Sequence, residues 1–302
     1  MPSPVDLRHE LLDWLAGGPQ VGDGAGKDQL REMHAEARLA SMARRFDFLR
    51  GGAARFASYL ARGAEVDPHR IDPVLVSVRD GHTADLYRWV RLMWWSLPYS
   101  KGYGRRMKFL VFDRQNGKLM GLLGFQSPPV DVSARDTYLG LHKLSGEQKT
   151  YVLNQSLDIY TLGAVPPYNM LLGGKLLALL ACSDEVREYY RALYRDSLTW
   201  LAGRRIPPRL LFLTTHSAFG RSSQYSRLKF RGELVGWPLG YTRGSGTFHF
   251  PESIYRKLRA FLRDNGYCVE TGYGFGPRRR LQLICTALGA LGLSRSLVYH
   301  GV

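Results

Sequence analysis

The stretch Val165-Pro166-Pro167-Tyr168-Asn169-Met170-Leu171-Leu172-Gly173-Gly174-Lys175-Leu176-Leu177 joins an apolar, strand-like run to an apolar, helix-like run through a turn with two adjacent glycines. The first turn of a helix leaves N–H donors without internal partners and carries partial positive charge, so this entry suits a pyrophosphate or another anion. The same glycines also serve plain packing, by letting a helix approach a sheet closely.

Outward from this turn, the spacing predicts a strand over 151–163 before it and a helix to about residue 182 after it. A polar helix is expected over 183–202, stopped by Arg204-Arg205-Ile206-Pro207-Pro208, and then a strand over 209–215. Upstream, Leu86, Trp89, Val90, Met93 and Trp94 recur at helical spacing in 83–96. Asn116-Gly117 lies between the strand-like runs 107–112 and 119–125, a hairpin signal, and 73–79 reads as a further strand. Downstream come a short helix at 222–230, two strand pieces in 233–250 and helices at 253–264 and 280–291. The N-terminal region reads as helices at 6–16 and 28–49 around a glycine-rich break. The expectation is an α+β fold with a central mixed sheet flanked by helices. Its parts are a helical arm 1–64, a core 65–250 and a basic helical extension 251–302.

Lys and Arg outnumber Asp and Glu by 42 to 26 in 302 residues, a formal charge of +16. That excess predicts attraction to polyanions, nucleic acid first and a membrane surface second. No apolar run is long enough to span a bilayer and the first residues lack a signal-peptide layout, so a cytoplasmic protein without membrane attachment is expected. Cys182, Cys268 and Cys285 have no paired spacing, and no two histidines stand four apart on a helix. No metal site is expected.

Basic and aromatic residues are interleaved at Lys101, Tyr103, Arg105 and Arg106, a mixture that suits phosphate contact and base stacking or a solvated loop. Arg278, Arg279 and Arg280 form a second basic run, for docking on a phosphate backbone or for solvation. Thr214-Thr215-His216-Ser217, followed by Arg221-Ser222-Ser223-Gln224-Tyr225-Ser226-Arg227, gathers hydroxyls, an imidazole and two arginines at a strand end. In such a site Arg221 and Arg227 would hold phosphate, His216 would act as acid or base, and Tyr225 or Ser222 as nucleophile. A helix cap accounts for Ser222 and Ser223 equally well. A carboxylate-based nuclease would need Asp113, Asp131, Asp136 and Asp158 to converge, although Asp113 also suits its turn.

From Leu92 onward the sequence resembles the DruA family of the Druantia anti-phage system. The likeness rests on Ser100-Lys101-Gly102-Tyr103-Gly104-Arg105-Arg106-Met107, Gly117-Lys118-Leu119-Met120-Gly121, Arg135-Asp136, Gly163-Ala164-Val165-Pro166-Pro167-Tyr168-Asn169 and Leu172-Gly173-Gly174-Lys175-Leu176. Ser222-Ser223 before Tyr225, Gly240-Tyr241-Thr242 and His300-Gly301 complete it, and Leu141 departs from it where the family carries Trp. Membership implies a role in phage defence or mobile DNA, with DNA preferred over RNA and companion subunits as partners.

The order of helix, hairpin, strand, glycine turn, strand and Tyr225 is also similar to GNAT acyltransferases. That likeness implies acyl-CoA as cofactor, held by Val165, Tyr168, Gly173, Gly174 and Lys175. It implies Tyr225 as general acid toward the departing thiolate, with Asp136 or Asp158 as base toward an exocyclic amine. An ion pair with Arg135 is the plainer role for Asp136. A nuclease or recombinase using Tyr225 or carboxylates, and a non-catalytic nucleic-acid-binding subunit, are the alternatives.

Overall fold

The computed structural model describes residues 3–17, 27–95, 102–199, 203–217, 222–240, 250–270 and 277–294. Along the chain run α1 (Pro4–Gly17), α2 (Lys27–Ala43), α3 (Phe46–Phe56), β1 (Pro73–Ser77) and α4 (Gly81–Trp94). Next come β2 (Met107–Asp113), β3 (Lys118–Gln126), α5 (Ser133–Tyr138), α6 (Gly146–Leu153) and β4 (Ser156–Ala164), then α7 (Gly173–Leu180) and α8 (Asp184–Tyr194). The order closes with β5 (Phe212–Thr215), α9 (Ser223–Ser226), β6 (Lys229–Phe230), β7 (Glu233–Leu234), α10 (Glu252–Asp264) and α11 (Pro277–Ala290).

Contacts divide the chain into two compact units. One comprises Arg45–Trp94 and Lys101–Gly240; the other comprises Met1–Arg44, Trp95–Ser100 and Tyr241–Val302. The first is built on a five-stranded sheet in the order β1-β2-β3-β4-β5. Its first three pairings are antiparallel, and β4 and β5 run parallel. The α+β class with a mixed sheet is therefore as the sequence predicts.

Strand β3 is buried along nearly its whole length, as a strand covered on both faces must be. A Cβ at Gly121 would lie 2.4 Å from Leu177 Cδ2 of α7, and one at Gly124 2.5 Å from the Tyr87 hydroxyl of α4. Residues three apart on a strand point to opposite faces, so α7 covers one face of the sheet and α4 the other. The hairpin turn is held by Gly117 N–H, which donates to Asp113 O at 2.8 Å with Gly117 at φ +69°.

In the second unit, Ile254, Leu258 and Leu262 line one side of α10 at four-residue spacing. They share a core with Leu7 and Leu11 of α1 and with Leu283, Ile284, Ala287 and Leu288 of α11.

Several elements differ from the sequence expectation. Where one strand was expected from 151, α6 comes first: Ser145 accepts from Gln148 N–H and Gln148 returns a bond to the Ser145 N–H, a capping box that starts a helix. The polar helix ends at Tyr194, and Leu198 pairs antiparallel with Arg205. The helix expected over 28–49 breaks at Arg44-Arg45, and α3 starts at Phe46. The helix expected over 222–230 lasts one turn before a hairpin, β6–β7, replaces it. The second of the strand pieces in 233–250 lies outside the described residues from 241 to 249.

Candidate functional site

Strands β4 and β5 pair through Ser156↔Phe212, Leu157↔Leu213, Asp158↔Thr214 and Ile159↔Thr215. Strand β5 stops there, while β4 continues beside β3 as far as Ala164↔Gly121. Register along β3 shifts between Gly124↔Thr161 and Phe125↔Ile159, so Tyr160 is an extra residue that bends β4 where β5 leaves it. Ligands of open sheets sit beyond the carboxyl ends of parallel strands, and the polar residues of this unit gather at that end of β5.

Asp158 is the centre of the group. Its residue is 4% exposed, and its carboxylate accepts from Thr214 Oγ1 at 2.9 Å and from Gln126 Nε2 at 3.5 Å. His216 Nδ1 lies 3.5 Å from Asp158 Oδ1, and the imidazole keeps 42% exposure. With Nδ1 turned to the carboxylate, Nε2 is the nitrogen left for a reactant. The hydrogen bond to Asp158 raises the His216 pKa above its ordinary 6.5, against burial and the charge of Arg135.

Two tyrosines flank this pair. Burial raises the Tyr225 pKa; a hydrogen bond with the Thr215 side chain works against that, and the Asp158 charge works with it. Tyr103 is pushed up to about 12 by burial and by Asp158, although the residue is 47% exposed overall. Its loop is fixed where Ser127 N–H donates to Tyr103 O at 3.1 Å and Arg105 N–H donates to Ser127 Oγ at 3.0 Å. Both phenols therefore stay protonated near neutral pH, as a proton donor must.

The glycine turn lies close by. A 3₁₀ turn, Tyr168–Leu171, leads to Leu172 at φ 59° and then to α7. Lys175 and Leu176 N–H groups both donate to Leu172 O, so the amides of Gly173 and Gly174 are those the helix start does not pair internally. Gly173 is buried, and a Cβ there would lie 2.5 Å from Tyr168 O, so backbone packing alone demands glycine at this position. Gly174 faces the Gln224 side chain of α9, whose Oε1 lies 3.1 Å from a Cβ built there. Gln224 thus links the helix start to Tyr225, the next residue of α9.

The fit to an anionic cofactor is narrower than the five residues implied. Val165 N–H donates to Met120 O at 2.8 Å, and the buried Tyr168 hydroxyl bonds Asp113 Oδ2 at 2.9 Å and the Asn116 side chain. These two and Gly173 build the frame. Of the five, Gly174 and the half-buried Lys175 are those that could hold a pyrophosphate, with the Gln224 amide beside them as a further donor.

Comparison with known proteins yields a family. The family model described as Druantia protein DruA matches residues 24–302. A curated Druantia protein DruA from Escherichia coli (strain UMEA 4076-1) is 38% identical over 288 residues, covering 94% of this chain and 70% of its own length. The chain belongs to the DruA family. The match begins well before Leu92, where the sequence likeness was placed, and so takes in most of the helical arm. No solved structure matches.

The other candidate carboxylates of this DruA-family chain are engaged by donors, with Lys149 shared between Asp131 and Asp136. Asp136 is buried beside Arg135, which donates to it at 2.6 Å and 2.8 Å and also reaches Pro129 O and Val130 O. Burial works to raise the Asp136 pKa, but hydrogen bonds from Lys149, Arg135 and the Val132 N–H outweigh it and the carboxyl titrates below 3.8. With every lone pair engaged, Asp136 is placed as an ion-pair partner, the plainer of its two roles. Asp113 accepts from Asp72 N–H, Gln115 and Tyr168, and Asp131 pairs with Lys149 at 2.7 Å. Among the described residues no three His, Cys, Asp or Glu side chains approach each other as metal ligands do.

The expected nucleic-acid residues divide in the same way. Arg105 is buried, donating to the Tyr190 hydroxyl at 2.6 Å and Asn154 O at 2.9 Å, while Arg106 and Arg227 are exposed. Arg280 pairs with Glu252 at 2.7 Å in the first turn of α11, and Arg279 donates to Cys268 O. Lys101, Arg221 and the Arg278 side chain lie outside the described residues. Sequence reasoning missed Gln126, whose amide meets Asp158 from β3. Its signal was a polar residue closing an otherwise apolar strand.

Proposed function

We propose that this DruA-family chain is the nucleic-acid-acting component of its defence system, working in the cytoplasm beside companion subunits and transferring an acyl group to an exocyclic amine of a DNA base. The observation that carries this reading is the meeting of Asp158, His216 and Tyr225 where β4 and β5 part, beside the glycine start of α7. Acyl-CoA, held by Gly174 and Lys175, would supply an activated thioester. His216 Nε2 takes the proton of the attacking amine, while Asp158 holds Nδ1 and stabilises the imidazolium that forms. Tyr225 would give its hydroxyl proton to the departing thiolate and regain one through solvent, to which the His216 imidazolium releases the proton it took from the amine. In this way the C–N bond forms as the C–S bond breaks.

A phosphodiester-attacking Tyr225 is disfavoured, since burial and Asp158 both hold its hydroxyl protonated. Thermal shift with acetyl-CoA tests the reading, because a ligand that binds only the native state raises the midpoint. A rise that is lost in Gly174→Val supports it. No rise at millimolar acetyl-CoA, or a denaturation-resistant protein–DNA adduct through Tyr225, overturns it.

A further inference from the structure

The hairpin after α9 is built in a way its own stability does not require. Strands β6 and β7 have two residues each, and such a ribbon is not stable alone. Its base is tied to α9: Leu228 N–H donates to Tyr225 O at 3.2 Å, Val235 N–H donates to Leu228 O at 3.0 Å, and Leu228 is buried. Its two-residue turn is Arg231-Gly232, with φ 51° and 87°, the geometry of a type I′ turn. Glycine or asparagine enters the left-handed region at this first position with little strain, whereas arginine does so at a cost. Strain kept in an exposed turn points to a use for the side chain.

That side chain is stacked outward. The Arg231 guanidinium sits 5.3 Å from the centroid of Phe230, which is 56% exposed, and Trp237 just beyond the hairpin is 61% exposed. Arg227, Lys229 and Arg231 are all exposed along this segment, and its one acid between Arg227 and Trp237 is Glu233, which stands across from Phe230 in the ribbon. Exposed aromatic faces within a cationic rim bind single-stranded nucleic acid, whose bases stack on the rings while its phosphates meet the cations. A duplex hides its base faces and leaves such rings without a partner. An apolar protein partner would not call for the three cations.

We propose that the β6–β7 hairpin and Trp237 form a stacking platform for single-stranded nucleic acid, placing an unpaired base at the Tyr225 end of the opening between β4 and β5. This inference rests on the nucleic-acid part of the proposed function and is independent of the acyl donor.

The test titrates the full chain with a fluorescein-labelled single-stranded DNA oligonucleotide and its matching duplex at low and moderate salt. Native protein is compared with Phe230→Ala, Trp237→Ala and Arg231→Asn, the last of which relaxes the turn while removing the charge. Unchanged circular dichroism and thermal midpoints establish that each variant folds. Each aromatic variant is expected to weaken single-strand binding by about fivefold or more, with duplex binding unchanged. Arg231→Asn is expected to lower the salt slope by somewhat less than one. Ultraviolet cross-linking to a bromouracil-containing strand should map to Phe230 or Trp237 by peptide mass spectrometry.

If native protein binds single strands and the aromatic variants bind equally well, the platform is wrong and a nucleic-acid partner stands. Equal weakening on single strand and duplex also overturns stacking. No binding of either at low salt overturns both the platform and the nucleic-acid reading.

Discussion

The two units treat buried charge in opposite ways. The sheet unit buries Arg91, Arg105, Asp113, Arg135, Asp136 and Asp158, whereas the helical unit's buried residues, among those described, include no Arg, Lys, Asp or Glu, its buried polar residues being His34 and Ser41, and ion pairs such as Lys257–Glu10 and Arg280–Glu252 remain partly exposed. Removing charge from water is costly, so a buried ion persists only where partners or chemistry require it. Asp113 and Asp136 are surrounded by donors and serve architecture. Asp158 differs because one of its partners, His216, reaches solvent. The contrast supports the proposed role of Asp158 as the reactive carboxylate and of Asp113 and Asp136 as scaffold.

The largest expected effect tests that assignment. Asp158→Asn still accepts from Thr214, so the fold should hold, but His216 loses its charged partner. Turnover should fall roughly 10²- to 10⁴-fold and phage protection with it, as for loss of an acid–base group. In the native protein the raised His216 pKa means that its stabilising contribution is complete below 6.5 and fades as pH rises through the raised value. The neutral imidazole needed as base accumulates only above that value, so activity should rise with pH there. In Asp158→Asn the imidazole NMR titration should move to lower pH, since burial and Arg135 then act unopposed. A titration that stays in place removes Asp158 as the group that orients His216.

Next in size is Asp136→Asn, which leaves Arg135 buried with no carboxylate on its guanidinium. Breaking such a pair costs about 3–5 kcal/mol, to be read as a lower urea midpoint. Activity per folded molecule should be retained, the reverse of the pattern for Asp158→Asn. A stable, inactive Asp136→Asn would return Asp136 to the role of base.

What the sequence revealed follows from the range of each cue. The Asn116-Gly117 hairpin, the 83–96 helix and the glycine turn are local signals, and each was found nearly in place. Ser145-Gly146-Glu147-Gln148 was equally local, a capping box before α6, but the β-branched and aromatic residues after it masked it. The site was half legible. His216 and Tyr225 stood out as polar residues at a strand end, and Asp158 as a carboxylate in an apolar strand. That Val165 and Tyr168 serve the frame depends on Met120 and Asp113, more than forty residues away, and no local pattern carries that information.

In the helical unit the comparison predicts ordinary core energetics. Leu258→Ala should cost about 2–4 kcal/mol, because the residue is 1% exposed among Leu7, Leu11, Ile284 and Leu288. Hydrogen exchange should rise in α1, α10 and α11 and stay unchanged in β2–β4. A loss of protection in the sheet would mean that the two units unfold together.

The smallest effect falls on Arg280, where a docking surface for nucleic acid was expected from the run Arg278-Arg279-Arg280. Its guanidinium donates to Glu252 at 2.7 Å and to Phe250 O at 2.8 Å, and it lies 4.3 Å from the centroid of Tyr255. Its side chain is 25% exposed, and both terminal nitrogens are engaged within the helical unit. A partly exposed ion pair contributes about 0–1 kcal/mol and a cation–π contact a similar amount, so Arg280→Gln should destabilise the helical unit by about 1 kcal/mol. That corresponds to a few degrees in the midpoint of a small domain, roughly 5 °C. The plot of log K against log salt for DNA binding should keep its slope, because a cation already paired within the protein releases few counterions. A slope reduced by about one, with the midpoint unmoved, would instead place Arg280 on the phosphate backbone and shift part of the nucleic-acid surface to the helical unit.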